Sequence, residues 1–210
     1  MFKRAILLTG VFLLATCSLT FGQPAQLWET GQTTCYDSSW AVISCSGTGQ
    51  DGELRAGVAW PDPRFTSSGE CVADKLTGLM WAKNADLPNG TMTWQQALDY
   101  VASLNSGSGL CSYHDWRLPN LKELRSLIDY SQSYPAWPLN HPFQNNYYGN
   151  KNYYWSSSSV AGYTHYAWTV GMKMGFVFDH KKDYGSYVWP VRTGQVFIPT
   201  AWIYLPLILR

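Results

Sequence analysis

Trp116-Arg117-Leu118-Pro119-Asn120-Leu121-Lys122-Glu123-Leu124 decides the fold class. Trp116-Arg117-Leu118-Pro119 reads as a short strand. It feeds a helix whose start is marked by Asn120 with Glu123 three residues on, a spacing that lets each side chain satisfy the other's backbone N–H. Leu124, Leu127 and Ile128 give that helix its buried face until 131–135 ends it. Upstream, Thr93-Trp94-Gln95-Gln96 is a second capping box, and Trp94, Ala97, Leu98, Val101 and Leu104 form one apolar stripe before Ser106-Gly107. Downstream the pattern changes to period two. Tyr153-Tyr154-Trp155-Ser156-Ser157 is a strand, 166–172 and 176–180 alternate around a turn at Lys173-Met174-Gly175, and 187–192 is a further strand. Leu76-Thr77-Gly78-Leu79-Met80-Trp81 reads as a buried strand before the helices. Helices followed by an antiparallel sheet predict an α+β domain.

Composition agrees. The 210 residues are 46% hydrophobic and 16% aromatic but only 14% charged, which excludes a disordered chain, and the 18 Gly and 11 Pro among so many aromatics exclude a helical bundle or coiled coil. A formal net charge of +1 argues against a nucleic-acid partner.

Residues 1–22 carry Lys3 and Arg4, an apolar run over 5–14, and the small residues Ser18, Thr20 and Gly22, the pattern of a signal peptide cleaved after Gly22. An exported protein, extracellular or periplasmic, is expected. The rival is lipoprotein anchoring at Cys17, since Leu14-Ala15-Thr16-Cys17 approximates a lipobox. No other stretch is long and apolar enough for a transmembrane span.

Removal of the leader leaves Cys35, Cys45, Cys71 and Cys111. Four cysteines permit three pairings. The short turn-rich segment after Cys35 favours a local Cys35–Cys45 bridge, which leaves Cys71–Cys111. Their spacing, and that of His114, His141, His165 and His180, gives no metal-ligand signature, and no cofactor is expected. The organisation is therefore a signal peptide at 1–22, a small Gly/Thr-rich disulfide hairpin module at 23–65, a main domain at 66–194 and an apolar tail at 195–210.

Charge is uneven. Residues 23–139 hold 7 Lys/Arg against 12 Asp/Glu, whereas 140–210 hold 6 against 2. In that last third Lys151, Lys173, Lys181, Lys182 and Arg192 are interleaved with Tyr153, Tyr154, Tyr163, Tyr184 and Tyr187. Together they are either solvated lysines on hairpin turns or a surface that attracts anions and stacks sugars. The expected surface joins loops 140–152 and 158–165 to the hairpins around Lys173 and Lys181. Arg117 and Arg192 are expected to make structural hydrogen bonds at strand ends, and Ser156 and Ser157 to complete backbone hydrogen bonds. No nucleophile elbow, acid–base pair or calcium-lectin tripeptide is present, so no enzyme is expected.

The tail, with Val196, Phe197, Ile198, Trp202, Ile203, Tyr204, Leu205, Leu207, Ile208 and Leu209, is too short to span a membrane and is interrupted by Pro199 and Pro206. It is expected to pack on the N-terminal module, on a second copy by self-association, or on a membrane surface or partner.

Leu76-Thr77-Gly78-Leu79-Met80-Trp81, Thr93-Trp94-Gln95-Gln96-Ala97, Asp115-Trp116-Arg117-Leu118-Pro119-Asn120, Lys122-Glu123-Leu124, Tyr154-Trp155-Ser156-Ser157, Ala167-Trp168 and Val188-Trp189-Pro190-Val191-Arg192 together resemble one family, the C-terminal domain of the Legionella collagen-like (Lcl) adhesin. The resemblance covers about residues 65–194. It implies a C-type-lectin-like fold of the formylglycine-generating-enzyme variant, with 79–83 beside 188–192 and both helices packed on the sheet. It also implies a secreted or cell-envelope binding module, an adhesin-like receptor for a polysaccharide, sulfated or glycosaminoglycan-like in the collagen-bearing member. A structural or protein-interaction domain of the bacterial envelope without glycan binding is the alternative, and an enzyme whose site is assembled from distant residues is the third reading. This chain has no collagen repeat, and it has no cysteine after Cys111 to supply the copper-holding pair of the related oxidases.

Overall fold

The computed structural model describes residues 27–146 and 153–194. The expected signal peptide, the Cys17 alternative, Lys151 and the tail at 195–210 lie outside the described residues.

The chain opens with a two-stranded hairpin, β1 (Cys35–Tyr36) and β2 (Val42–Ile43), followed by one helical turn, α1 (Asp51–Leu54). This module has almost no apolar core, so side chains satisfy its backbone. Gln50 accepts from the Tyr36 N–H at 3.0 Å and donates to the Tyr36 carbonyl at 2.8 Å. The Glu53 carboxylate accepts from the N–H groups of Gly47 and Gly49, which hold it below the ordinary carboxylate range. A Cys35–Cys45 disulfide closes the hairpin.

The main domain is built on two sheets. The first has the order β3 (Phe65–Ser68), β4 (Cys71–Asp74), β5 (Leu79–Ala82), β9 (Val191–Thr193), all antiparallel; the second is the meander β6 (Tyr153–Val160), β7 (Tyr163–Gly171), β8 (Phe176–Lys181). Between them in sequence lie α2 (Trp94–Ser103) and α3 (Leu121–Arg125). Both expected capping boxes are formed, Thr93 with Gln96 and Asn120 with Glu123. The result is the expected α+β domain. The expected pairing of 79–83 with 188–192 is present between β5 and β9, Met80 opposite Arg192 and Trp81 opposite Val191, although β3 and β4 precede β5 in the domain.

The second helix is shorter than expected, since α3 ends at Arg125 and Leu127 and Ile128 are buried from the turn that follows it, and three expected strands differ. The stretch 76–81 begins as a turn around Gly78, and its strand runs over Leu79–Ala82. Trp116-Arg117-Leu118-Pro119 makes only one bridge, between Arg117 and Val191, because it crosses the sheet edge on its way to α3. In 187–192 only the end is a strand. Tyr187 is tied by backbone bonds to β6, Pro190 can donate nothing, and Val191 then joins β5, so the segment passes from one sheet to the other. The β3–β4 hairpin and α1 were not expected.

Trp189 sits where the sheets converge. Its ring centre lies 5.1 Å from that of Trp137, 5.5 Å from Trp81, 4.8 Å from Phe143 and 5.4 Å from Tyr154, and its Nε1 donates to the Ala82 carbonyl. Leu124, Leu127, Val170 and Met172 complete this core on the α3 side of the β6–β8 sheet. A second core lies on the opposite face, where Ala97 and Val101 of α2 meet Trp155, Ala167, Trp116 and Val188. The Cys71–Cys111 disulfide closes it from the side. Gly175 makes the β7–β8 turn with φ +75°, and a Cβ there would lie 2.6 Å from Ile128 Cγ2. Only glycine fits both the turn and its contact with the α3 region.

Candidate binding surface

The β6–β8 sheet is covered unequally. Strand alternation puts Tyr153 and Trp155 of β6, Ala167, Thr169 and Gly171 of β7, and Phe176, Phe178 and His180 of β8 on one face, opposite one another in register. α2 covers the end of this face that holds Trp155 and Ala167, both fully buried. At the other end the small residues of β7 lie between aromatic rings, and Gly171 leaves room for the Tyr153 ring, against which a Cβ would stand at 3.1 Å.

The rings form a continuous strip. Phe176 lies 6.0 Å from Phe178, Phe178 5.1 Å from Tyr153, Tyr153 5.9 Å from His180, and His180 5.4 Å from Tyr184. Phe176 is 54% exposed, Phe178 41% and Tyr184 51%, so large apolar rings face water along the edge strand. Lys181 stands at one end, with its Nζ 5.7 Å from the Tyr184 ring centre. His180 is anchored by a hydrogen bond between its Nδ1 and Ser186 Oγ at 2.9 Å. Burial holds its imidazole below the ordinary value, against the opposing pull of Asp179 and Asp183.

The structure brings only some of the sequence-selected residues together. Lys181, Lys182 and Tyr184 lie at the end of β8, beside Tyr163 at the start of β7, since Lys181 pairs with Tyr166. Tyr163 is 62% exposed and packs edge-on against Tyr166. Lys173 stands at the opposite end, where its Nζ lies 4.5 Å from the Tyr134 ring centre. β8 alone separates it from Lys181 by roughly 17 Å at about 3.3 Å per residue. The expected single basic face is therefore split in two. Lys182 is not a free cation either: its Nζ donates to Ser159 Oγ at 2.8 Å and rests 4.0 Å from the Trp94 ring centre.

Phe176, Phe178 and His180 join the strip without having been expected there, whereas Tyr153 is one of the aromatics that the sequence interleaves with the basic residues. Phe176, Phe178 and His180 alternate in 176–180, but alternation alone does not say which face is left open. Which face α2 covers is not a local property.

The remaining candidates are structural. Arg117 makes a two-pronged pair with Glu123 at 2.6 and 2.7 Å, and Arg192 one with Asp115 at 2.6 and 3.2 Å. Ser156 Oγ donates to the Trp168 carbonyl and Ser157 Oγ to that of Pro119. Among the described residues no cluster of three His, Cys, Asp or Glu is placed to hold a metal ion, and no helix is long and apolar enough to cross a membrane.

The model of one protein family, described as the Lcl C-terminal domain, matches residues 70–192. No curated protein matches the chain.

Proposed function

Because the chain belongs to the Lcl C-terminal domain family, whose membership together with two disulfides is consistent with an exported bacterial protein, we propose that it is an envelope or secreted binding module that recognises a polysaccharide. The observation that carries this reading is the strip Phe176–Phe178–Tyr153–His180–Tyr184, whose Phe176, Phe178 and Tyr184 rings face water, with Lys181 at its end. Pyranose rings present C–H faces that stack on aromatic rings, and an ammonium at the end of such a strip suits an anionic or sulfated sugar. The frame that presents it is read as the C-type-lectin-like fold of the formylglycine-generating-enzyme variant. The pairing of β5, which precedes both helices, with β9, the last strand, supports that assignment. On this reading the chain holds its ligand and does not turn it over.

The test is a glycan array probed with the mature chain and with its Phe178→Ala/Tyr184→Ala variant, followed by titration of the best sulfated polysaccharide. At least tenfold weaker binding by the variant is expected. Retained binding, or no glycan bound by either protein, overturns the reading.

A second reading, contact with another envelope protein, is favoured by one observation. The β1–β2 hairpin holds Trp40 in a left-handed turn at φ 69° with 89% of its surface exposed, beside exposed Tyr36 and Val42.

A further inference from the structure

The described residues contain a cleft that the aromatic strip does not use. An opening of about 610 Å³ lies between the N-terminal segment and the main domain, walled by Trp28, Trp60, Leu76, Leu79 and Ile128. Its N-terminal wall is firmly built. Trp28 bridges Val58, the Glu29 N–H donates to the Val58 carbonyl, the Val58 N–H donates to the Leu27 carbonyl, and Trp60 Nε1 donates to the Glu29 carbonyl at 2.9 Å. This ordered backbone holds Leu27 81% exposed and Trp28 41% exposed at the cleft. Among the described residues nothing covers this apolar wall.

The opposite wall is where the domain's last strand ends. Thr193 pairs with Leu79, and the Gly194 backbone passes the Gly78 carbonyl so closely that a Cβ would not fit. The chain therefore leaves the domain beside Leu76, Thr77 and Leu79, all lining residues of the cleft. The sequence that follows is Gln195-Val196-Phe197-Ile198-Pro199, within a segment whose only charged residue is Arg210. Three extended residues reach about 10 Å, enough to carry Phe197 from Gly194 into the opening.

We propose that the segment after Gly194 docks in this cleft of its own chain, with Val196, Phe197 and Ile198 against Trp28, Leu76 and Leu79. The cleft is then an internal socket that ties the N-terminal segment to the main domain. This inference is independent of the carbohydrate reading.

The test uses the full mature chain with Phe197→p-benzoylphenylalanine, irradiated at low micromolar concentration and mapped by mass spectrometry. Cross-links within one chain to 27–30, Trp60, 76–79 or 120–130 are expected. Leu76→Asp in the same chain is expected to lower their yield at least fivefold while the melting transition stays cooperative. Cross-links between two chains, to residues before Leu27, or to the β8 face overturn the proposal, as does an absence of cross-links. A yield indifferent to Leu76→Asp overturns it equally.

Discussion

The Lys182 ammonium rests 4.0 Å from the centre of the Trp94 ring, and the Trp94 N–H donates to the Lys182 carbonyl at 2.9 Å. The start of α2 is thus pinned to the end of β8 by two contacts between the same two residues. The adjacent Lys181, one residue earlier, points to the Tyr184 ring at the end of the aromatic strip. Neighbouring lysines that look equivalent in sequence therefore have different surroundings: one docks a helix and the other stands at the end of the aromatic strip.

Lys182→Gln is expected to lower stability by about 0.5–1 kcal/mol, the scale of a cation–π contact near the surface, and to leave polysaccharide affinity within twofold. Lys181→Gln should do the reverse, weakening binding to a sulfated polysaccharide at low salt with little change in melting temperature. Urea titration and binding isotherms on both variants check the pair. Equal effects of the two substitutions on binding would show that the strip's charged end is wrongly assigned.

Arg64 and Asp74 form the most deeply buried ion pair among the described residues, with Nε and Nη2 donating to the two carboxylate oxygens at 2.9 and 2.7 Å. Nη2 also donates to the Ser126 carbonyl, and Asp74 accepts from the Leu76 N–H and Thr77 Oγ1. Asp74→Ala leaves a guanidinium buried without its partner, so a loss of about 3–5 kcal/mol is expected. The double variant Arg64→Met/Asp74→Ala should lose much less than the sum of the single losses. Additive losses in a urea-denaturation cycle would refute that coupling.

The folding signals that could be read locally are the ones the structure reproduces. Each capping box needs only four consecutive residues, and the 173–175 turn needs only a glycine where φ is positive. Segments 116–119 and 187–192 are apolar and extended but find their partners elsewhere in the chain, so periodicity overstates them as strands. The β3 residues Thr66-Ser67-Ser68 carry no apolar alternation and pair only because β4 lies alongside. The basic residues of the last third were legible as a group, but their separation by the length of β8 was not. The 27–30 wall of the cleft offered no signal, since its meaning depends on Leu76 and Ile128 across the gap.

Acid should weaken the fold in two steps. Burial holds the imidazoles of His141 and His180 below the ordinary value near 6.5, and the Phe143 N–H donates to His141 Nδ1, a bond that protonation there removes. The unfolded chain takes up these protons first. Stability is therefore complete above about pH 6.5 and falls as pH drops below it, until the folded imidazoles also protonate. The second step belongs to carboxylates. Burial pushes Glu123 up, but the Arg117 fork and the Asn120 N–H outweigh it; Arg192 holds Asp115 down, its hydrogen bonds outweighing the smaller effect of burial. Their contribution is present above the ordinary carboxylate range and is lost as pH falls from that range down through their lowered folded values. Melting temperatures between pH 7.5 and 5.5 should decline in the wild type and decline less in His141→Gln/His180→Gln. A flat wild-type profile in that window sinks the first step.

The two disulfides should differ in their effect on stability. Cys71–Cys111 joins residues 40 apart and Cys35–Cys45 residues 10 apart, so loop-closure entropy assigns about 4 kcal/mol to the first and about 3 to the second. Packing widens the gap. Cys71 lies at the edge of the α2 core and is 2% exposed, so a Cys71→Ser/Cys111→Ser variant also buries two hydroxyls in or beside apolar surroundings. The Cys35–Cys45 bridge braces a hairpin with little core behind it, and the Gln50 and Glu53 side-chain bonds persist without it. Cys35→Ser/Cys45→Ser should therefore loosen the 27–60 region in hydrogen exchange while the main melting transition falls only slightly. Cys71→Ser/Cys111→Ser should lower that transition by several degrees or more. If the hairpin variant costs the main domain more, the module is a structural part of the domain and not a brace for its own exposed tip.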